Sequence, residues 1–110
     1  MTVAELAEAL ELEILSGSQE ALSRPVEGGY CGDLLSWVMG RAPSGGAWFT
    51  IMSNVNVAAV AQLADAACVI LAEGVAPDEP LLERAKMENL ALLSGGSAAF
   101  DMAGRLYALL

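Results

Sequence analysis

The chain contains no histidine, so the side chain most often used as a general base near neutral pH is missing, and with it the usual activator of a serine or cysteine nucleophile. Catalysis would have to fall to carboxylates, to a cysteine, or to Lys86, the sole lysine. Lys86 follows Glu83 and Arg84 in a segment with helical pattern, a setting that reads as solvated surface. Cys31 and Cys68 stand far apart with no neighbouring cysteine, and form neither a metal-ligand spacing nor a Cys-x-x-C redox pair. They read as buried free thiols, and no metal or cofactor is expected. The acidic pairs Glu11/Glu13 and Asp78/Glu79 have structural uses: alternate exposed positions entering a strand, and first-turn acids favoured by a helix dipole. The residue types therefore point away from an enzyme.

Binding chemistry has more material. The stretch Gly28-Gly29-Tyr30-Cys31-Gly32-Asp33 is rich in glycine at a strand-to-helix junction, where free amides can cradle a phosphate, but it has neither G-x-G-x-x-G spacing nor a Walker lysine. Ser53, Asn54 and Asn56 follow a second strand, and Glu73 and Gly74 follow a third. Ligands of open parallel sheets bind outside the carboxyl ends of the strands. If the three strands are parallel, Gly28, Gly29, Asp33, Ser53, Asn54, Asn56, Glu73 and Gly74 meet at one edge as a candidate ligand site.

The elements that must position these residues follow from the hydrophobic pattern. Thr2 and Glu5 form a capping box for a helix to about Leu10,. Leu12, Ile14 and Leu15 make a short strand closed by Ser16-Gly17-Ser18, and residues 26–31 form a weaker one after Arg24-Pro25,. Asp33 is placed as the N-cap of a helix over residues 34–39, with Gly40 as its left-handed C-cap before Pro43,. Residues 47–52 are nearly continuously apolar and residues 68–72 are wholly so, and both read as buried strands, the first on both faces as in parallel sheets,. Between them, Ser53 or Asn54 caps a helix to Ala67 that is apolar around most of its circumference,. A helix from Asp78 to Asn89, a strand at residues 90–93 and an amphipathic helix from Ser97 complete the chain,. Alternating strands and helices predict an α/β fold, a mostly parallel sheet of about five strands with helices on both faces, joined by right-handed crossovers.

With 110 residues the chain has the size of one domain. It is 55% hydrophobic and 17% charged, richer in apolar residues than an average soluble domain, which suggests that part of the excess serves a subunit interface. Fourteen acids against five bases leave a net charge of −9. The bases Arg24, Arg41, Arg84, Lys86 and Arg105 are scattered, so nucleic acid is excluded as a partner by electrostatics. Apolar runs are broken well before the ~20 residues of a membrane span, and the N-terminus lacks the pattern of a signal or transit peptide. No membrane partner and a cytoplasmic location are the expectations.

Val26-Glu-Gly-Gly-Tyr-Cys-Gly-Asp33, the segment 48–52, Val69-Ile-Leu-Ala-Glu-Gly74 with Pro77-Asp-Glu-Pro80, and Ala91-Leu-Leu-Ser94 together resemble a DRTGG domain over nearly the whole chain. Ser53-Asn54-Val55 stands where that family has Gly-Asp-Arg, and Ala72-Glu73-Gly74 where it has Thr-Gly-Gly, which marks a divergent member. The family is similar in fold to the N-terminal domain of HPr kinase and occurs beside phosphotransacetylase and between the CBS domains of a pyrophosphatase. The resemblance implies a regulatory domain, often dimeric, without catalysis of its own, and a companion of kinase- or hydrogenase-related proteins in anaerobic bacteria. Two functions are thus expected: a homodimeric interaction module pairing through an apolar helix or strand face, or a sensor binding a nucleotide or other metabolite at the strand ends.

Overall fold

A computed structural model describes residues 1–110. Its strands are β1 (Glu13–Ser16), β2 (Gly29–Cys31), β3 (Ala47–Thr50), β4 (Cys68–Leu71) and β5 (Leu92–Ser94). They form one sheet in the order β1-β5-β4-β3-β2. β2, β3, β4 and β5 run parallel, and β1 alone pairs antiparallel, against β5. The helices are α1 (Val3–Ala9), α2 (Gln19–Leu22), α3 (Leu35–Arg41), α4 (Asn56–Leu63), α5 (Glu79–Met87) and α6 (Ala99–Leu109). The α/β architecture with a mostly parallel five-stranded sheet is the one expected from the alternation of elements.

Alternate residues along each strand divide the core between the two faces. Phe49, Ile70 and Leu93 pack with Leu6 of α1 and with Met102 and Leu106 of α6. Trp48, Val69, Leu71 and Leu92 pack with Val38 of α3, Val57 and Val60 of α4, and Leu81 of α5. β3 and β4 sit between both layers and are buried at every position, which accounts for their nearly unbroken apolar sequence. The apolar circumference of α4 has the same cause. Val57, Ala58, Val60 and Ala61 are buried in the layer shared with α3 and α5, while Gln62 and Leu63 are exposed. The helix ends at Leu63 rather than Ala67, because Asp65 takes a left-handed φ of 54°. Much of its apolar content is therefore an internal requirement of this layer.

At α1 the capping box is present: Glu5 N donates to Thr2 Oγ1 at 3.1 Å and Thr2 N to Glu5 Oε1 at 2.8 Å. Other helix ends depart from expectation. α3 has Leu34 at its N-cap position without a side-chain hydrogen bond, because Asp33 is turned to β3. Gly40 lies inside α3; the helix stops at Ala42, which is extended (ψ 134°) as a residue before proline tends to be. Neither Ser53 nor Asn54 caps α4, whose N-cap position is Val55; Asn54 Oδ1 instead accepts from Asn56 N at 2.9 Å in a local turn,. The single-turn α2 was not anticipated. Ser18 caps it through Ala21 N at 3.3 Å, and Ser18 and Asn89 are locked by reciprocal hydrogen bonds of 2.7 Å. Ser16 Oγ adds a 2.6 Å bond to Leu90 O, so the segment after β1 is held by residues more than seventy positions away.

Candidate functional site at the carboxyl ends of the parallel strands

The carboxyl ends of β2, β3 and β4 meet at one edge of the sheet because the strands are parallel and adjacent. Asp33 stands at that edge. Its Oδ1 accepts from Thr50 Oγ1 at 2.8 Å and from Ile51 N at 2.9 Å, and Thr50 Oγ1 in turn accepts from Met52 N at 3.1 Å. A carboxylate with these partners serves as a clamp between the ends of β2 and β3. Ser53 Oγ donates to Asp78 Oδ1 at 3.2 Å, and Asp78 N donates to Ser53 O at 2.9 Å, which ties the β3–α4 loop to the start of α5.

Glu73 and Gly74 lie one strand further. Both have left-handed backbones, φ 61° and 73°. Glu73 N donates to Ser97 O, Gly74 N to Gly95 O and Gly95 N to Leu71 O, each at 3.0 Å, so the loops after β4 and β5 are stitched together. Glu73 Oε2 also accepts from Ala99 N at 3.2 Å. No side chain of α6's own N-cap residue, Ala98, does this, so Glu73 supplies the negative group that a helix N-terminus favours.

Asp33, Ser53, Asn54, Glu73 and Gly74 are thus brought to one edge, with Asn56 just inside α4. Gly28 and Gly29 are not. Gly29 pairs with Ala47, the first residue of β3, and the two glycines belong to the opposite, amino end of the strands; only Gly32 and Asp33 of that glycine-rich stretch reach the strand-to-helix junction. Cys31 also departs from the sequence reading, being exposed, whereas Cys68 is buried. Partial desolvation, and then the neighbouring Asp33, raise the Cys31 thiol. Burial pushes the Cys68 thiol up to about 12.

The topology singles out a second place along this edge. The loop after β4 leads to α5 on one face of the sheet and the loop after β5 leads to α6 on the other. Adjacent loops that part in this way open a crevice, the switch point at which such sheets take ligands. A groove of about 430 Å³ lies here, lined by Glu11, Glu13, Gly74, Pro77, Ser94 and Gly96, among others. Beside it, a groove of about 370 Å³ runs over Gly32, Asp33, Thr50, Ile51 and Glu73. The residues 94–97, Ser-Gly-Gly-Ser, were missed as part of the edge, although a glycine pair between a strand and a helix is the same signal that drew attention to residues 28–33. None of the five basic residues lines either groove. The lining carboxylates are Glu11, Glu13, Asp33 and Glu73, and the anion position at α6 is filled by Glu73 itself.

No protein-family model matches the chain, and no curated protein matches it in sequence. Among solved structures, it is similar to the CBS and DRTGG domains of the regulatory region of Clostridium perfringens pyrophosphatase, complexed with activator, diadenosine tetraphosphate. The TM-score is 0.76 at 13% identity, over 96% of this chain and 45% of that one. The chain spans less than half of that structure, and at this identity the likeness shows the fold. No helix is long and apolar enough to cross a membrane.

Proposed function

We propose that this chain is a regulatory or protein-interaction module without catalysis of its own, a divergent relative of DRTGG domains, and that it works as a homodimer. The observation that carries this reading is the distribution of polar and apolar surface. The strand-end polar residues are engaged in tying loops together, as Asp33 is to Thr50 and Ile51 and Glu73 is to Ala99. Large apolar side chains meanwhile stand in solvent on α6, among them Phe100 and Tyr107. Exposed apolar surface rimmed by polar residues marks association. The two thiols support the absence of catalysis, since each is raised rather than poised as a nucleophile,. The regulatory role draws support from the pyrophosphatase regulatory region that shares the fold. Unpaired cysteines suit a reducing, cytoplasmic setting.

Native mass spectrometry tests the reading. A dimer at micromolar concentration is the expected result, and a monomeric mass across that range would count decisively against the homodimer.

A sensor of nucleotides is the second reading, favoured by the nucleotide activator bound in the pyrophosphatase structure and by the grooves at the strand ends. The charge of those grooves opposes a polyphosphate. If it is correct, a thermal-shift series with adenosine mono-, di- and triphosphates and diadenosine tetraphosphate raises Tm, and Glu73→Gln, which removes the competing carboxylate, increases the rise. Absence of any shift in both proteins removes this reading.

A further inference from the structure

The two edges of the sheet are built differently. β1 is interrupted by a register shift between Ile14 and Ser16 and carries the exposed Glu13, two devices that discourage a further strand from adding. β2 has neither. Gly28 O accepts from Ala47 N at 2.9 Å and Gly32 N donates to Phe49 O at 3.1 Å, so these residues face β3. Alternation along the strand then points the N–H and C=O groups of Gly29 and Cys31 away from the sheet. Both residues are exposed. Beside this edge runs a trough of about 270 Å³ between β2 and α6, lined by Cys31, Phe49, Ala103, Leu106, Tyr107 and Leu110 as well as Gly28–Tyr30. Ala103, Tyr107 and Leu110 continue a helical stripe that begins at Phe100, and Tyr107 is 83% exposed.

We infer that β2 pairs antiparallel with β2 of a second copy, about a twofold axis at Tyr30, and that the α6 stripe closes over the joint. This rests on the homodimeric reading above and names its surface. Three observations select a second copy as the occupant. First, twofold pairing demands a self-complementary patch, and the strand supplies one: with Tyr30 opposite the partner's Tyr30, Gly29 faces the partner's Cys31, and each such pair exchanges two hydrogen bonds. This register alone pairs both outward residues of the three-residue strand. Second, the Cys31 side chain meets a glycine across the joint, so nothing obstructs the approach. Third, each copy carries −9, so copies approach best where carboxylates are fewest, and although Glu27 and Asp33 flank the strand, no residue lining the trough is charged. A stable interface needs about 800 Å² from each partner, more than a three-residue edge supplies, so the exposed rings of Phe100 and Tyr107 on α6 must be buried in it as well.

The test is native mass spectrometry over a dilution series, with hydrogen exchange read at the Gly29 and Cys31 amides. The wild type is expected to dimerise with both amides protected. Cys31→Pro removes one outward N–H without touching a bond to β3, and edge positions tolerate proline; Tyr107→Asp places a charge in the trough at an exposed site. Each variant is expected to keep its circular dichroism spectrum and to lose affinity by about tenfold or more. Leu63→Asp, on exposed α4 surface, is expected to dimerise as the wild type does. A dimer whose Gly29 and Cys31 amides exchange freely, or a folded Tyr107→Asp that still pairs at full strength, would overturn the surface while leaving the homodimer intact. A monomer under all conditions would overturn both.

Discussion

At the scale of single residues, titratable groups report where the chain is closed and where it is open. Cys68 is buried with a thiol pushed up to about 12, whereas Cys31 is exposed. A maleimide is therefore expected to label one thiol per chain in the native protein and both in denaturant, as counted by intact mass. Under the proposed pairing of β2, the rate at Cys31 should fall as protein concentration rises. Asp65 offers a pH test. Ser44 donates to its Oδ2, Arg24 Nη2 lies 2.9 Å from its Oδ1, and these contacts, Ser44 first, hold its carboxyl below the usual carboxylate range. A carboxylate with a depressed folded-state value stabilises the fold where it is ionised. The contribution is complete above the unfolded value and disappears as pH falls through the lower folded one. Asp65→Asn keeps a residue type that tolerates the left-handed backbone but removes the charge. Urea midpoints are expected to be lower for the variant at neutral pH and to converge with the wild type in acid.

Element by element, legibility in the sequence followed burial. β3 and β4 were readable because both faces are covered and every residue but Thr50 is apolar, and α1 was readable because Thr2 and Glu5 carry its start. Thr2→Ala is expected to cost about 1 kcal/mol, measured by chemical denaturation. What escaped notice depended on partners remote in sequence. α2 is a single turn held by Asn89, and Asp33 resembles an N-cap until β3 is placed beside it. The candidate site was half legible for the same reason: polar residues after strands mark the carboxyl edge, but which glycines reach it depends on where β2 begins. Gly28 and Gly29 fell at the wrong end, and Gly95 was overlooked. Gly95 is tightly enclosed, since a Cβ there would lie 2.6 Å from Leu12 Cδ2 and 2.9 Å from Met102 Sδ. Because both atoms lie toward the ends of flexible side chains that can shift, Gly95→Ala is expected to lose about 1 kcal/mol in the same assay.

For the whole molecule, charge and topology set the behaviour. Copies carrying −9 each repel over distances that salt screens, so the proposed dimer is expected to tighten as sodium chloride rises, a trend opposite to that of a complex held by ion pairs. Sedimentation equilibrium at low and high salt distinguishes the two. The sheet order also carries a consequence for how the chain reaches this state. From β2 to β5 each strand lies beside its successor in sequence, so the parallel part can grow by short, local closures. β1 breaks that pattern: it must find β5 across most of the chain, and closing a long loop carries an entropic cost that local pairing avoids. Docking of β1 is thus expected to be the late step of folding, and pulse-labelled hydrogen exchange should find the amides of β3 and β4 protected before those of β1.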